Sequence, residues 1–267
     1  MKGRVLIAAG SDSGGGAGIQ ADIKTVTALG GFATTAITAL TAQNTLGVFD
    51  VLDVPPAFIA RQMSVVIEDI GVDAVKTGML SRADVIAVIV ETLERLAPRV
   101  PLVVDPVMVA KGGHKLLDDA AHDALRRLLI PRATLLTPNL PEAEALTGMA
   151  IANPEAMVAA GTMLRSFGAA AVLVKGGHLD GPEVIDVLVS SGGTELFTYP
   201  RIDSTSTHGT GCTLSSAIAT GLAQGLDLRQ AIVAALAFVR EAIRHAPGYG
   251  KGHGPLDHTH TLRQPRN

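Results

Sequence analysis

The sequence predicts an α/β fold, with a mostly parallel central sheet covered by helices on both faces. Short apolar runs recur along the chain, each followed by a glycine-rich or polar cluster and then by a helical pattern. The runs are apolar at successive rather than alternate positions, as in parallel strands buried on both sides. The composition, 47% hydrophobic and 18% charged over 267 residues, supplies a sizeable core.

Val5-Leu6-Ile7-Ala8-Ala9 reads as the first strand, Gly10-Ser11-Asp12-Ser13-Gly14-Gly15-Gly16 as its exit, and about 16–30 as a helix. A Thr/Ala-rich strand ends at Gln43-Asn44. Helices over about 56–70 and 82–97 flank the strand Ala74-Val75-Lys76, which exits into Thr77-Gly78-Met79. Leu102-Val103-Val104 exits into Asp105-Pro106, with a helix over about 118–129. Thr134-Leu135-Leu136 exits into Thr137-Pro138-Asn139, with helices over about 141–148 and 153–168. Val172-Leu173-Val174 exits into Lys175-Gly176-Gly177. Two strand-like runs, Val184 to Val189 and Thr194 to Tyr199, enclose Gly192-Gly193 and predict an antiparallel hairpin at one sheet edge. Helices over about 211–225 and 227–246 complete the pattern. No composition break or repeat divides the chain. Residues 1–267 are expected to form one domain, with 255–267, which holds His258 and His260, as a mobile tail.

A net charge of -3 gives no electrostatic footprint for nucleic acid or a membrane surface, and 3% aromatic content leaves few stacking platforms. The first apolar run is too short for a signal segment, and no run reaches the length of a membrane span. The single cysteine excludes an intrachain disulfide and a multi-cysteine zinc site, and fits a cytoplasmic location.

Ligands bind outside the carboxyl ends of strands in open parallel sheets. Asp12, Asp105, Asn139, Glu142 and Lys175 all follow predicted strands, and the glycine loop 13–16 joins them. Thr207-His208-Gly209-Thr210-Gly211-Cys212-Thr213 precedes a small-residue helix. Free amides and partial positive charge at such an N-terminus, approached through glycine, form an anion cradle. Cys212 lies in that turn, as either a nucleophilic or proton-accepting group or a small core residue. The glycines at 14–16 allow close approach of a small substrate or make only a tight turn. They lack a Walker Gly-Lys-Ser/Thr, and Ile19 breaks the dinucleotide-binding spacing. Asp105 is a candidate for holding Mg²⁺. Glu142, two residues after Asn139-Leu140 and beside Pro141, either joins it or caps a helix. Lys175 either contacts nucleotide phosphate or is a solvated strand-exit lysine. The amide of Gln43 suits the edge of a heteroaromatic ring.

Six motifs stand in order: Gly10-Ser11-Asp12 through Gly18-Ile19-Gln20-Ala21-Asp22, Thr38 to Thr45, Lys76-Thr77-Gly78-Met79-Leu80, Asp105-Pro106-Val107-Met108, Thr137 to Glu142, and Thr207 to Thr213. With them the chain resembles the bifunctional hydroxymethylpyrimidine kinase/phosphomethylpyrimidine kinases of thiamine biosynthesis, in the ribokinase-like superfamily, over about residues 4–260. The resemblance implies a three-layer αβα sandwich, a cytoplasmic homodimer, ATP and Mg²⁺. It implies phosphorylation of 4-amino-5-hydroxymethyl-2-methylpyrimidine to its monophosphate and then its diphosphate. By motif, Gln43, Asp22, Met79, Val107 and Gly10 match positions around the pyrimidine. Gly209, Thr210, Gly211 and Cys212 match the anion hole, with Cys212 where most ribokinase-like kinases carry an Asp base. Lys175, Asn139 and Thr207 match the ATP side, and Asp105 and Glu142 the Mg²⁺ neighbourhood. Gly14 stands where many relatives have Ser, and Asp203-Ser204-Thr205-Ser206 lacks a basic residue that some carry. The alternatives are a pyridoxal or pyridoxine kinase of the same superfamily, or a non-catalytic nucleotide-binding module.

Overall fold

The computed structural model describes residues 2–108 and 119–262. One nine-stranded sheet has the order β3-β2-β1-β4-β5-β6-β7-β8-β9. Its strands are β1 Arg4–Asp12, β2 Phe32–Asn44, β3 Gly47–Asp53, β4 Ala74–Thr77, β5 Leu102–Val104, β6 Leu135–Leu136, β7 Val172–Val174, β8 Glu183–Ser190 and β9 Gly193–Pro200. Strands β2, β1, β4, β5, β6 and β7 are mutually parallel, while β3, β8 and β9 pair antiparallel.

The helices are α1 Gly18–Ala28, α2 Pro56–Asp69, α3 Ala83–Leu96, α4 Asp119–Ala124, α5 Leu140–Thr147, α6 Pro154–Ser166, α7 Thr210–Ala223 and α8 Leu228–Arg244. Position 118 of the expected fourth helix lies outside the described residues. That helix continues past α4 as a π turn at Leu125–Leu129 and a 3-10 turn at Ile130–Arg132. Pro131 stands inside the 3-10 turn, where a missing N–H is tolerated.

Because side chains alternate across a strand, the sheet has two cores. Leu6, Val75, Val104, Leu136 and Val174 pack against α2 to α6. Val5, Ile7, Val103, Leu135 and Leu173 face α1, α7 and α8. The result is the three-layer αβα arrangement, and it places Lys76, next to Val75, on the α1 and α7 side.

Two expectations are corrected. The sheet carries antiparallel strands at both edges, because Gly47–Asp53 folds back on β2 as β3. Its side chains are mostly exposed, so the segment lacks the buried apolar run that marks the inner strands. The expected mobile tail is packed up to the end of the described residues: Leu256, Asp257 and His258 are buried. The Asp257 amide donates to Ala242 O at 3.0 Å. The His208 amide donates to Gly254 O at 3.1 Å, and the His258 ring meets Thr213 Oγ1 at 2.9 Å. Glycine and histidine composition concealed a strap tying α7 to α8.

Burial pushes the His258 imidazole down to about 4. The folded state therefore favours the neutral ring, while the unfolded chain takes up a proton near the ordinary value of about 6.5. His258's contribution is present in full above that value and is lost as pH falls toward 4. The expected loss approaches about 3 kcal/mol, at about 1.4 kcal/mol per pH unit. Urea midpoints measured between pH 7 and 4 should fall steeply, and His258→Gln should flatten that limb.

Candidate active site

The carboxyl ends of β1, β4, β5, β6 and β7 open into one cleft of about 470 Å³, closed from above by the start of α7. Helix α7 begins in a way that leaves donors free. Gly209 is left-handed (φ 81°) and its side-chain-less position offers no cap. The Thr213 amide bonds Gly209 O at 2.8 Å, but the amides of Gly211 and Cys212 have no backbone acceptor among the described residues. Gly209 also packs onto the first loop so closely that a Cβ there would stand 1.8 Å from Gly16 O. Only glycine permits this seat.

Three carboxylates, each with a nitrogen-bearing partner, line or underlie the cleft. At the end of β1, Asp12 accepts from the amides of Gly14 at 2.8 Å, Gly16 at 3.0 Å and Ala17 at 2.8 Å, and meets His208 Nε2 at 2.9 Å. Burial pushes Asp12 upward, but these partners hold its carboxyl below the usual range. The glycine loop is therefore wrapped around its own aspartate instead of standing open for a ligand. Beyond β5, Asp105 pairs with Lys175 Nζ at 3.0 Å. Behind the wall, Asp22 of α1 pairs with Lys76 Nζ at 2.8 and 3.0 Å and accepts from Ser216 Oγ at 2.7 Å.

Asn139 and Glu142 cap α5 reciprocally: the Glu142 amide donates to Asn139 Oδ1 at 2.9 Å, and the Asn139 amide to Glu142 Oε2 at 2.8 Å. Burial pushes Glu142 up to about 7, with Lys175 pulling down and Asp105 pushing up. The Cys212 thiol borders the cleft, and the protein enclosing it pushes it up to about 12. Lys76 and the Gly18 amide oppose the shift, while Asp22 and Asp105 add to it. The resting sulfur is a thiol, because burial outweighs the helix N-terminus.

Gln43 faces His208 Nε2 at 3.3 Å and Thr41 Oγ1 at 3.1 Å. Thr41 Oγ1 already donates to Ser11 O at 2.8 Å, and one hydroxyl proton cannot serve two acceptors. Turning the amide over resolves this: the nitrogen donates to Thr41 and the oxygen faces His208.

The pattern of one known family, described as phosphomethylpyrimidine kinase, matches residues 12–257. The chain belongs to the phosphomethylpyrimidine kinase family. It is 53% identical over 257 residues to the Geobacter sulfurreducens thiamine biosynthesis bifunctional protein ThiED, with 96% of this chain matched but about half (52%) of that protein's length. It is 51% identical to the hydroxymethylpyrimidine/phosphomethylpyrimidine kinase of Rhizobium meliloti, covering 96% of each. The crystal structure of the phosphomethylpyrimidine kinase of Clostridium difficile 630 superposes with TM-score 0.80 at 45% identity, over 91% of this chain and 100% of that one. An ADP complex of Bacillus subtilis pyridoxal kinase superposes with TM-score 0.89 at 36% identity, over 97% and 98%. The chain is thus a kinase, a phosphotransferase with the ribokinase-like fold.

In this kinase Gly10, Gln43, Met79 and Val107 line the cleft at the β1–β2–β4 end. Asp105, Asn139, Glu142, Lys175, Thr207 and the 209–212 turn line its middle. Asp22 does not line it: wholly buried, it holds Lys76, which does. Lys175 is not a free strand-exit cation, since it is paired with Asp105. A Cβ on Gly211 would lie 3.1 Å from Lys175 Nζ, so the ammonium sits beside the anion hole. Gly176 is packed too, its amide bonded to Asp186 Oδ1 at 2.8 Å. Among the described residues no group of three or more metal-ligating side chains exists, so Asp105 and Glu142 form no closed cage.

Sequence reasoning missed His208, Lys76 and the far end of the cleft. Arg201 there ties down the β7–β8 loop by donating to Gly177 O at 3.0 Å and Gly181 O at 2.8 Å. The only advance signal was the position of His208 beside Gly209 and of Lys76 at a strand exit. Replacing Gly209 with Ala should cut turnover at least about 100-fold, as expected when oxyanion-type donors are misplaced. Steady-state kinetics and circular dichroism of the variant check this.

Proposed function

We propose that this kinase phosphorylates the hydroxymethyl group of a 4-aminopyrimidine alcohol from ATP and then phosphorylates the resulting monophosphate. The supporting observation is the meeting, in one cleft, of the Gln43 amide, the Cys212 thiol and two unsatisfied amides at the start of α7. The polar β1–β2–β4 end is read as the pyrimidine site. The opposite end, lined by the apolar Ile202, Leu236, Val239 and Ile243 together with Arg201 and Arg240, is read as the nucleoside site. The γ-phosphate then lies at the amides of Gly211 and Cys212 between them.

In the first reaction the hydroxymethyl oxygen bonds the γ-phosphorus, the bond to the β,γ-bridging oxygen breaks, and ADP departs with the electron pair. The Cys212 sulfur is a thiol at rest, so its own proton first passes to solvent; the thiolate then takes the hydroxyl proton as the new O–P bond forms. Positioning and charge stabilisation dominate such loose transition states. Asp105 and Glu142 fit a hard, oxygen-seeking cation, being two buried carboxylates, with burial and then Asp105 driving Glu142 upward against the pull of Lys175. They would hold Mg²⁺, which supplies neutralisation of phosphate charge when bound.

Pyridoxal remains the second reading, because the pyridoxal kinase fold superposes over nearly the whole chain. Higher identity to the pyrimidine kinases favours the first. We read the protein as cytoplasmic. No helix among the described residues is long and apolar enough to cross a membrane. We also read it as a homodimer, because Leu40, Phe49, Leu52 and Phe58 leave an exposed apolar face on β2, β3 and α2.

The deciding experiment incubates the protein with Mg-ATP and either the pyrimidine alcohol or pyridoxal, with products read by mass spectrometry. Mono- and diphosphates of the pyrimidine are expected, and their absence overturns the assignment. Cys212→Ala should lower turnover of the alcohol about 100- to 10,000-fold, the usual worth of a positioned base. A titration should show ATP affinity little changed. Leu52→Asp with Phe49→Asp should convert a dimer to monomer in light scattering.

A further inference from the structure

Lys76 and Asp22 form an ion pair with both side chains wholly buried. Such a pair is seldom kept for stability alone, since apolar residues of similar volume often serve as well or better. The pair is fixed from three elements. Lys76 comes from β4, Asp22 from α1, and Ser216, which donates to Asp22, from α7. Ser216 stands one helical turn after Cys212, so both face the same way. Gly78 lies against the ammonium on the cleft lining, where a Cβ would stand 2.9 Å from Lys76 Nζ. The two oxygens of Asp22 engage at most two of three N–H donors, and no other acceptor holds the third among the described residues.

We propose that Lys76 is the fixed counter-charge of the Cys212 sulfur, a positioning residue that lets it take the substrate's hydroxyl proton. This rests on the kinase reading above. The charges around the sulfur divide by sign. Lys76 from β4, Lys175 beyond β7 and the Gly18 amide favour the thiolate, while Asp22 from α1 and Asp105 beyond β5 oppose it. Of the two ammonium groups, Lys175 is committed to Asp105 at the anion hole, and Lys76 sits under the ring-binding end.

The two phosphorylations need this charge unequally. In the first, a neutral alcohol must lose a proton as its oxygen bonds phosphorus. In the second, the nucleophile is an oxygen of the monophosphate, whose second pKa of about 6 leaves it already deprotonated at neutral pH. No base is needed there. Lys76 therefore serves the alcohol step and is dispensable for the monophosphate step.

Cys212 is the only cysteine in the chain, so alkylation reports on that sulfur alone. With iodoacetamide on the ligand-free enzyme at pH 8, Lys76→Met should slow alkylation at least about tenfold and move its pH profile upward. Asp22→Asn, which removes a carboxylate that opposes the thiolate, should speed it and move the profile downward. Loosened packing alone would expose the sulfur and speed both, so two changes of the same sign overturn the proposal. In turnover, Lys76→Met should lower kcat for the alcohol at least about tenfold more than kcat for the monophosphate. A raised KM for the monophosphate with the alcohol step intact would instead make Lys76 a phosphate ligand and overturn it. Lys76→Gln, which keeps a polar head toward Asp22, replaces Lys76→Met if the latter does not fold. If neither pyrimidine is turned over, the pyrimidine reading falls, while the alkylation rates still decide the charge coupling.

Discussion

The contact between Gly209 and Gly16 sets the geometry of the whole cleft. The two backbones touch where any side chain on Gly209 would collide with Gly16 O. That contact seats the first turn of α7 over the exits of β1, β4 and β5. From it follow the direction of the Gly211 and Cys212 amides, the approach of Gly211 to Lys175, and the meeting of His208 with Asp12. The strap from Gly254 to His258 holds the same turn from the outside, through His208 and Thr213. A site assembled from loops is thus locked by backbone contact and not left to flexible side chains.

The carboxylates of this cleft are mostly satisfied locally. Asp22 faces Lys76, Asp105 faces Lys175, and Asp12 is held by three amides and the His208 ring. Phosphate is then attracted chiefly by directed amides and by whatever positive charge arrives with the nucleotide. Glu142 is the carboxylate left over. Burial first, and the neighbouring Asp105 second, displace it to about 7, and a cation between the two carboxylates would lower it.

The inner strands were legible because burial on both faces writes an unbroken apolar run, as in Val172–Val174. Helix α5 was legible through Pro141 and Glu142, whereas the reciprocal cap that Asn139 makes with Glu142 went unread. Strand β3 was not, because an exposed edge is selected for pairing and not for burial. Lys76 was read as part of a strand end, since one charged residue in an apolar run looks like the run's boundary. Only the layer above, with Asp22 54 positions earlier in the chain, makes it an interior group. His208 was hidden likewise: its partners Asp12 and Gln43 come from two distant strand ends. Pairings over such separations depend on topology, which local pattern does not encode. Asp22 was drawn to the right neighbourhood by motif, but on the wrong side of the cleft wall.

Under the proposed reactions, sulfur at position 212 meets the demands of two substrates in one pocket. A carboxylate there would join Asp22, Asp105 and Glu142 in a small low-dielectric volume, and like charges so placed drive one another toward protonation. It would also repel a phosphorylated substrate at the point where that substrate must dock. A thiol is uncharged at rest, and burial keeps it so. It admits the anionic monophosphate without a penalty, and it becomes an anion only when a neighbouring cation makes that form accessible. Under the proposed reaction, the neutral resting sulfur is therefore what allows one anion hole to serve both an alcohol and a phosphate as nucleophile.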